Sequence, residues 1–168
     1  GVLRESQITD PRIPPVTVQV NDAARRVQRS STKLEDAEAE VGADVANSLA
    51  FFTRVFGPPR FSHYYATEIP YGHGQAFPGL IQLSWATFQS PQEDGTSEVF
   101  RAHEMAHQWW GIGVAPVDYR DAWLAEGFSE FAGMWYMQLI LNDNEKYFKQ
   151  LETAAKEIRR VHDGAPPI

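Results

Sequence analysis

The sequence predicts one α+β domain, because its strand-like segments come early and helix-like segments dominate the second half. Val16–Val20 alternates and is rich in β-branched residues, as expected of a short strand. Phe61–Ile69 and Gly79–Trp85 are aromatic and β-rich, so they are two further strand candidates. From Thr96 onward, most apolar residues recur at the three- or four-residue spacing of helices that pack on a core.

Length and composition fit a single globular domain and exclude several classes of protein. Hydrophobic residues make up 43% of the 168 positions, which is enough to build a core. A net charge of -7 argues against nucleic acid as the main partner, because phosphate binding needs a basic surface. No apolar run approaches the length of a membrane span, so we expect none in this chain. Since the sequence has no cysteine, any metal must be held by His, Asp or Glu.

The sequence leaves the compartment of the protein open. The lack of cysteine excludes disulfides but does not distinguish oxidising from reducing surroundings. The chain opens on Gly1 and not on Met, so one hypothesis is an exported or cell-envelope parent from which a signal peptide was cut.

The first half of the chain is predicted to contain one long helix. Residues 1–15 hold three prolines and little pattern, so we expect an extended lead-in. Residues 21–31 are polar and contain a group of arginines, for which a solvated loop is favoured over a binding patch. Thr32–Glu35 has the spacing of a capping box, and the helix is expected to stop at Gly57. Its apolar stripe comprises Leu34, Ala37, Val41, Val45, Leu49, Phe52 and Phe56, and the acids expected on its outer face are Glu35, Asp36, Glu38 and Glu40.

Two connections and a second helix follow. Residues 70–75 are typical of a turn-rich connection, and residues 90–96 of a polar loop. A helix is expected to begin at about Thr96, with a side-chain cap and with Glu98 in its first turn. The glycines of residues 111–113 are a reasonable stop for it.

Two more helices are predicted near the end of the chain. Asp121 can cap a long helix that runs to about Leu141. Residues 142–144 then break the helical pattern. The last helix is expected to place Tyr147, Leu151, Ala154, Ile158 and Val161 on one side.

The segment His103-Glu104-Met105-Ala106-His107 carries the clearest chemical signal in the sequence. Two histidines four positions apart project from the same face of a helix, because four steps of 3.6 residues per turn return nearly to the start. Their imidazole nitrogens can share one zinc ion, with Glu104 beside the open coordination position. Glu126 follows after eighteen intervening residues and can supply a third ligand from the next helix. This combination disfavours the alternative, two ordinary histidines on a helix.

Each residue of this pattern has its own predicted role at one zinc ion per chain. His103 and His107 are expected to bind as neutral imidazoles, so metal affinity should fall in acid. Glu126 is the third ligand, and Glu104 stays free to act as general base toward metal-activated water. Glu130 lies one turn beyond Glu126 and can accept the other ring N–H of a ligating histidine, an exposed surface acid being the alternative.

Several nearby residues compete for supporting roles. Asp118 and Asp121 are rivals of Glu130 for the contact with a ligating histidine, although Asp121 is more simply a helix cap. His73 is a candidate for the cleft because of its loop position. Two further histidines lack metal-type spacing and are expected to be ordinary, namely His63 and His162. Three tryptophans are expected to pack around the site and exclude water, with substrate contact as the minority alternative: Trp109, Trp110 and Trp123.

The context of these residues resembles the gluzincin clan of zinc metallopeptidases, in particular the aminopeptidase N and leukotriene hydrolase family. Residues 103–111 resemble the zinc helix of that family, and residues 121–129 resemble the segment that carries its third ligand. Upstream, Phe77-Pro78-Gly79-Leu80-Ile81 is similar to the end of its substrate-aligning strand. The resemblance covers roughly residues 49–141.

The resemblance implies a zincin fold, which is a thermolysin-like catalytic domain with a small mixed sheet packed on helices. It also implies a zinc peptidase, usually an aminopeptidase, that acts on a peptide or protein substrate. Family members carry a β-rich N-terminal domain and a helical C-terminal domain as well. We therefore expect residues 1–168 to be a single catalytic domain, with a core of about 34–161, taken from a larger multidomain protein.

Two departures from the family pattern bear on substrate recognition. Aminopeptidases of the family carry Gly-Ala-Met-Glu-Asn before a Gly-Leu pair, and its Glu grips the free amino group of the substrate. Here the segment is His73-Gly74-Gln75-Ala76-Phe77, so a methyl group stands at the Glu position. These five residues are candidates for the substrate cleft, and the choice between exopeptidase and endopeptidase activity stays open. The family also uses an oxyanion-stabilising tyrosine well downstream of the third ligand, and Tyr136 and Tyr147 are too close in sequence to match it.

The sequence supports one leading hypothesis and leaves others open. The leading hypothesis is a zinc metallopeptidase that hydrolyses peptide bonds. The rival is a gluzincin-fold binding or scaffold module with weak or no catalysis, which the altered amine-binding motif favours and the intact Glu104 and ligand set oppose. Hydrolysis of a non-peptide substrate by the same chemistry stays open.

Overall fold

A mixed sheet runs through the protein, whose computed structural model describes residues 3–21, 34–88 and 95–162. Its strands are β1 (Leu3–Ile8), β2 (Val16–Asn21), β3 (Tyr64–Ile69), β4 (Gln75–Phe77) and β5 (Leu80–Ser84). They lie side by side in the order β1-β2-β3-β5-β4. The central strands β2, β3 and β5 pair in parallel, whereas β1 and β4 pair antiparallel with their neighbours at the two edges.

Strand β1 corrects the expectation of a patternless lead-in through residue 15. It pairs with β2 along its whole length, from Leu3 opposite Asn21 to Ile8 opposite Val16. Only Ile8 among its side chains packs against the core. Backbone hydrogen bonds to β2 therefore hold this edge strand, and such bonds leave little hydrophobic pattern in a sequence.

The sheet around β3 and β5 matches the strand candidates, with shifted boundaries. Strand β3 begins at Tyr64, three residues after the start of the predicted segment. Strand β5 ends at Ser84, and a 3-10 turn follows it from Trp85 to Phe88. Strand β4 starts at the end of the predicted turn-rich connection and pairs Gln75 with Gln82 and Phe77 with Leu80. The short β4 therefore forms the free edge of the sheet.

Helix α1 (Leu34–Phe56) packs on the sheet as its apolar stripe predicts. Val41, Val45, Leu49 and Phe52 are fully buried, and the helix ends one residue before Gly57. The predicted capping box at Thr32 lies outside the described residues, as do the arginines of residues 22–31 and the side chains of residues 34–37. The expectation of an outer-face position is wrong for Glu38, which is buried.

Helix α2 (Thr96–Ala106) carries the motif, and the side chain of Arg101 on this helix binds it to α1. This guanidinium is 1% exposed and forms ion pairs with Glu40 and Asp44 of α1. It also donates hydrogen bonds to the side chain and the carbonyl of Thr87, at 2.9 and 2.8 Å. Because a buried charge needs such partners, Arg101 fixes how α2 is rotated against α1.

The ends of α2 differ from the prediction. Gly95 occupies the N-cap position and no side chain caps the helix. The helix ends at Ala106, earlier than the predicted stop at Gly111, although the N–H of His107 still bonds to the carbonyl of His103 at 3.2 Å. The two histidines therefore remain one helical turn apart.

Helices α3 (Ala122–Leu139) and α4 (Asn144–His162) complete the described fold. Asn142, with a φ of 53°, makes the turn between them, as an asparagine can. The prediction of a one-sided apolar face holds for the start of α4, where Tyr147 and Leu151 pack against Val99, Met134 and Met137. It is wrong for Ala154 and Ile158, which are exposed, and the side chain of Val161 lies outside the described residues.

A glycine allows α3 to approach the motif helix closely. A Cβ on Gly133 would stand 2.7 Å from the carbonyl oxygen of Val99 and 3.2 Å from the backbone nitrogen of His103. Carbon atoms do not approach a carbonyl oxygen that closely without displacing it. Because Gly133 has no side chain, α3 packs closely enough on α2 for Glu126 and Glu130 to reach the histidines.

The described chain has the mixed α+β architecture predicted from the order of its elements. None of its helices within the described residues combines the length and apolarity needed to cross a membrane.

Candidate metal centre

His103, His107 and Glu126 converge on one point between α2 and α3. The Nε2 atoms of the two histidines lie 3.1 Å apart, and Oε2 of Glu126 lies 3.4 and 3.5 Å from them. Among the described residues, these three side chains form the group whose ligand atoms lie close enough together to hold a metal ion. Two helices therefore supply the set, as the spacing predicts.

The dimensions of this triangle fit a small divalent cation. Ligands about 2.0–2.2 Å from a tetrahedral zinc ion stand roughly 3.3–3.6 Å from one another. The measured separations of 3.1, 3.4 and 3.5 Å are close to that range. Two nitrogens and one carboxylate oxygen are also the donor set of catalytic zinc sites that keep a position open for water.

Hydrogen bonds orient both imidazoles with their Nε2 lone pairs toward this point. His103 donates from Nδ1 to Oε2 of Glu130 at 2.9 Å, and His107 donates from Nδ1 to the carbonyl of Trp110 at 3.0 Å. A carboxylate and a carbonyl can only accept, so the proton of each neutral ring sits on Nδ1. Two unprotonated nitrogens 3.1 Å apart repel each other unless a cation lies between them.

Glu130 makes the contact that its spacing from Glu126 suggested. Burial by itself disfavours the charged form of His103, but the hydrogen bond to Glu130 and the charges of Glu104 and Glu126 outweigh it, so the pKa of His103 is raised. The same partner would increase the basicity of His103 as a ligand.

His107 has a second partner that sequence reasoning missed. The hydroxyl of Ser129, which is fully buried, lies 3.1 Å from its Nδ1. Burial lowers the pKa of His107, which keeps the ring in the neutral form that binds metals. Ser129 is three positions after Glu126, so helical spacing places it near the ligand face of α3, but its contact with His107 depends on how the two helices pack.

Glu104 lies beside the ligand triangle without being part of it. Its side chain is 5% exposed, and burial raises the pKa of Glu104 to about 7, with His103 opposing and Glu126 adding to the rise. Gly74 approaches it closely, since a Cβ on Gly74 would clash with Oε1 of Glu104. A carboxyl group with a pKa near neutrality can both accept and return a proton.

A cleft of about 490 Å³ opens over the metal site. Four of the predicted cleft residues line one wall of it, namely His73, Gly74, Gln75 and Ala76. The prediction is wrong for the side chain of Phe77, which is 41% exposed and stands outside the lining.

Asp121 does not take the position of a partner to the histidines. It occupies the N-cap position of α3, where its side chain accepts no capping hydrogen bond, and it borders a separate apolar hollow with Leu124 and Phe128. Asp118 caps the preceding 3-10 turn by accepting a hydrogen bond from the N–H of Arg120 at 2.7 Å. The side chain of Asp118 is therefore engaged in its own turn, and of these three acids Glu130 is the one that contacts a histidine.

The tryptophans divide between packing and exposure. Trp109 is buried against Phe52 and Phe56, and Trp110 stacks on Phe128. The expectation of packing is wrong for Trp123, which is 57% exposed.

The remaining residues considered from the sequence lie away from the ligand triangle. His63 lies 2.8 Å from the hydroxyl of Thr17, whereas the side chain of His162 is outside the described residues. Tyr136 is fully buried beside Phe51, and Tyr147 packs at the start of α4. Neither tyrosine borders the cleft.

Comparison with known proteins supports the resemblance inferred from the sequence. The sequence model of the peptidase family M1 domain matches residues 85–166. Leucine aminopeptidase 2 of Ajellomyces capsulatus (strain NAm1 / WU24) is 25% identical over 130 residues, which cover 75% of this chain and 20% of that protein. The thyrotropin-releasing hormone-degrading ectoenzyme of Mus musculus is 43% identical over 49 residues, which cover 27% of this chain and 5% of that protein.

Solved structures show the same fold. An M1 zinc metallopeptidase from Deinococcus radiodurans superposes with a TM-score of 0.61 at 21% identity, over 99% of this chain and 35% of that chain. A mutant M1 zinc metallopeptidase from the same organism, bound to a Tyr-Ser-Ala substrate, superposes with a TM-score of 0.65 at 20% identity, over 99% of this chain and 34% of that chain. This chain thus spans about a third of the solved structures and a smaller share of the curated relatives.

The matched segment contains the motif helix, Glu126 and Glu130, and the structural comparison extends the likeness to the sheet and to α1. The resemblance inferred from the motifs is therefore confirmed. Residues 85–166 match the sequence model of the peptidase family M1 domain, and the described part of the chain has the fold of solved M1 zinc metallopeptidases.

Proposed function

We propose that this chain is the catalytic domain of a zinc-dependent metallopeptidase that hydrolyses peptide bonds. One observation carries the proposal: two Nε2 lone pairs and a carboxylate oxygen converge beside a buried, separately held Glu104. His103, His107 and Glu126 would hold one zinc ion. When bound, zinc would lower the pKa of a coordinated water from 15.7 to about 7 and polarise a carbonyl group.

Glu104 would act as the general base and later as the proton donor to the leaving amine. Its carboxylate is not one of the three converging ligands, so it remains free to accept a proton. Its burial favours return of that proton, because the charged form is poorly solvated. Glu130 would hold His103, and Trp110 with Ser129 would hold His107, in the tautomer that presents Nε2 to the metal.

The substrate would be a peptide or protein that enters the cleft along β4. A related metallopeptidase is known with a bound Tyr-Ser-Ala substrate, and curated relatives are named as aminopeptidases. Strand β4 lies at an edge of the sheet, where an extended chain could pair with it. Residues 1–168 would form a single catalytic domain, with a core of about 34–161, in a longer protein.

Exopeptidase selectivity is expected to be weak. Ala76 faces the cleft at the position where the family's amine-gripping Glu would stand. A methyl group offers no charge to an ammonium group, so peptides with free and acetylated N-termini should be cleaved at comparable rates. Cleavage confined to free N-termini in a peptide library, read by mass spectrometry, would contradict this part of the proposal.

The test of the reaction compares the wild-type protein, with its natural flanking sequence, to Glu104→Gln. Both should contain about one zinc per chain, while turnover of the peptide library should be lost only in the variant. Glu145→Gln, on an exposed turn of α4, is the matched control and should keep wild-type turnover. Absence of stoichiometric zinc at neutral pH would refute the metal site. Zinc binding without any product would instead support the binding-module alternative.

A further inference from the structure

Gln108 joins the motif helix to the edge of the sheet. It follows the second histidine of the motif and is 2% exposed. Its Nε2 donates a hydrogen bond to the carbonyl of Phe77 at 2.9 Å, and its Oε1 accepts one from the N–H of Gly79 at 3.0 Å. Both ends of the buried amide are therefore bound to backbone groups on either side of Pro78.

These two backbone groups belong to the tight turn between β4 and β5. Gly79 has a φ of 72°, which glycine adopts more readily than other residues, and Pro78 has no N–H to contribute. Strand β4 has only three residues and pairs with β5 on one side. The two hydrogen bonds of Gln108 add a second attachment of this hairpin, from outside the sheet.

The position of β4 sets one wall of the cleft. Gly74 and Ala76 line that wall, and Gly74 lies directly against Glu104 on α2. Gln108 directly follows His107, so its amide links this wall to the segment that carries the two histidines. A small displacement of β4 would change the gap between substrate backbone and Glu104.

We propose that Gln108 is a positioning residue, which clamps the β4–β5 turn to the motif helix and so sets the width of the substrate cleft. The consequence for substrate rests on the proposed peptidase function, whereas the clamp itself can be measured without turnover. If Gln108 only filled space, an apolar residue of similar shape would serve equally well.

The experiment compares Gln108→Met, Gln108→Glu and a matched control, Gln138→Met, in the zinc-loaded protein with its natural flanking sequence. Methionine keeps the length of the side chain and removes both hydrogen bonds. Glutamate keeps an acceptor for the N–H of Gly79 and loses the donor to Phe77. Gln138 bonds instead to Asn144, away from the cleft, at 3.1 Å.

Hydrogen–deuterium exchange resolved by segment is the first measurement. In Gln108→Met, exchange over residues 75–82 should rise about 10- to 100-fold, as expected for lost buried hydrogen bonds. Gln108→Glu should show at least as large a rise, because a buried carboxylate oxygen would face the carbonyl oxygen of Phe77. Exchange in α1 and zinc content should stay at wild-type levels, and the control should change neither. An unchanged rate over residues 75–82, or an equal rise in every segment, would overturn the clamp.

Steady-state kinetics are the second measurement. The KM for peptides should rise severalfold in Gln108→Met while kcat changes much less, because the groups on α2 that act on the substrate stay in place. A faster exchange over residues 75–82 with an unchanged KM would overturn the link to the cleft. A wild-type protein without turnover would refute the proposed function and leave the exchange result to decide the clamp.

Discussion

Replacing Glu104 by Gln should stabilise the metal-free protein above neutral pH. The carboxyl group of Glu104 is 5% exposed and lies against Gly74 and beside His103. Burial raises the pKa of Glu104 from 4.5 to about 7, so its ionisation at pH 8 works against folding. Glutamine has nearly the same shape and never ionises.

The size and sign of the effect follow from this shift in pKa. A rise of about 2.5 pH units, at about 1.4 kcal/mol per unit, corresponds to roughly 3 kcal/mol in the free energy of unfolding. Because the folded-state pKa is raised, this contribution is fully present below pH 4.5 and is lost as the pH rises through 7. The advantage of the variant should therefore be near zero at pH 4.5 and reach up to about 3 kcal/mol at pH 8.

Urea unfolding followed by tryptophan fluorescence measures this difference, with chelator present to keep the protein free of metal. Wild type, Glu104→Gln and the exposed control Glu145→Gln are compared at several pH values between 4.5 and 8. The control should stay within about 0.5 kcal/mol of wild type throughout. If Glu104→Gln is no more stable than wild type at pH 8, the argument from burial is wrong.

Three further predictions concern the geometry around the metal site. Gly133→Ala should lower the free energy of unfolding by about 1–3 kcal/mol and weaken zinc binding, because the new Cβ would stand 2.7 Å from the carbonyl oxygen of Val99 and force α2 and α3 apart. The control is Gly127→Ala, whose Cβ would have open space around it. This substitution should leave the free energy of unfolding unchanged or raise it by up to about 1 kcal/mol. Unfolding curves and chelator competition check both, and equal zinc affinity in the two variants would contradict the close-packing argument. Glu130→Ala should weaken zinc binding about 10- to 100-fold because His103 loses its acceptor, whereas Glu152→Ala should not; equal affinities by chelator competition would refute this role. Zinc affinity should fall as the pH is lowered toward 6.5 and below, since the raised pKa of His103 makes protons compete earlier, and a dialysis series between pH 5 and 8 with constant affinity would disprove it.

The fold was predictable where burial leaves a periodic pattern. Helix α1 was located from its stripe because Val41, Leu49 and Phe52 are fully buried, and β2 was located for the same reason. Strand β1 left no such pattern, since the backbone of β2 holds it and Ile8 alone packs on the core. Strand β4 was hidden in a turn-rich segment because three residues are too few to show alternation.

The candidate site was predictable to the extent that local helical geometry decides it. The face shared by His103 and His107 follows from a spacing of four, and the alignment of Glu126 with Glu130 follows in the same way. The contacts of Ser129 and Gln108 could not be read from spacing alone, since each reaches its partner only through packing of separate elements. The exposure of Trp123 also depended on which face of α3 the rest of the described chain covers.

The sequence by itself determined the donor types, the order in which they occur and the helical faces that present them, because side-chain chemistry and local periodicity are written in consecutive residues. Only the tertiary structure decided the distances among those donors, the tautomers of the two rings and the pKa of Glu104. Those properties depend on how closely α2, α3 and β4 approach one another. The approach is set by atoms distant in the sequence, such as the missing side chain of Gly133 and the amide of Gln108.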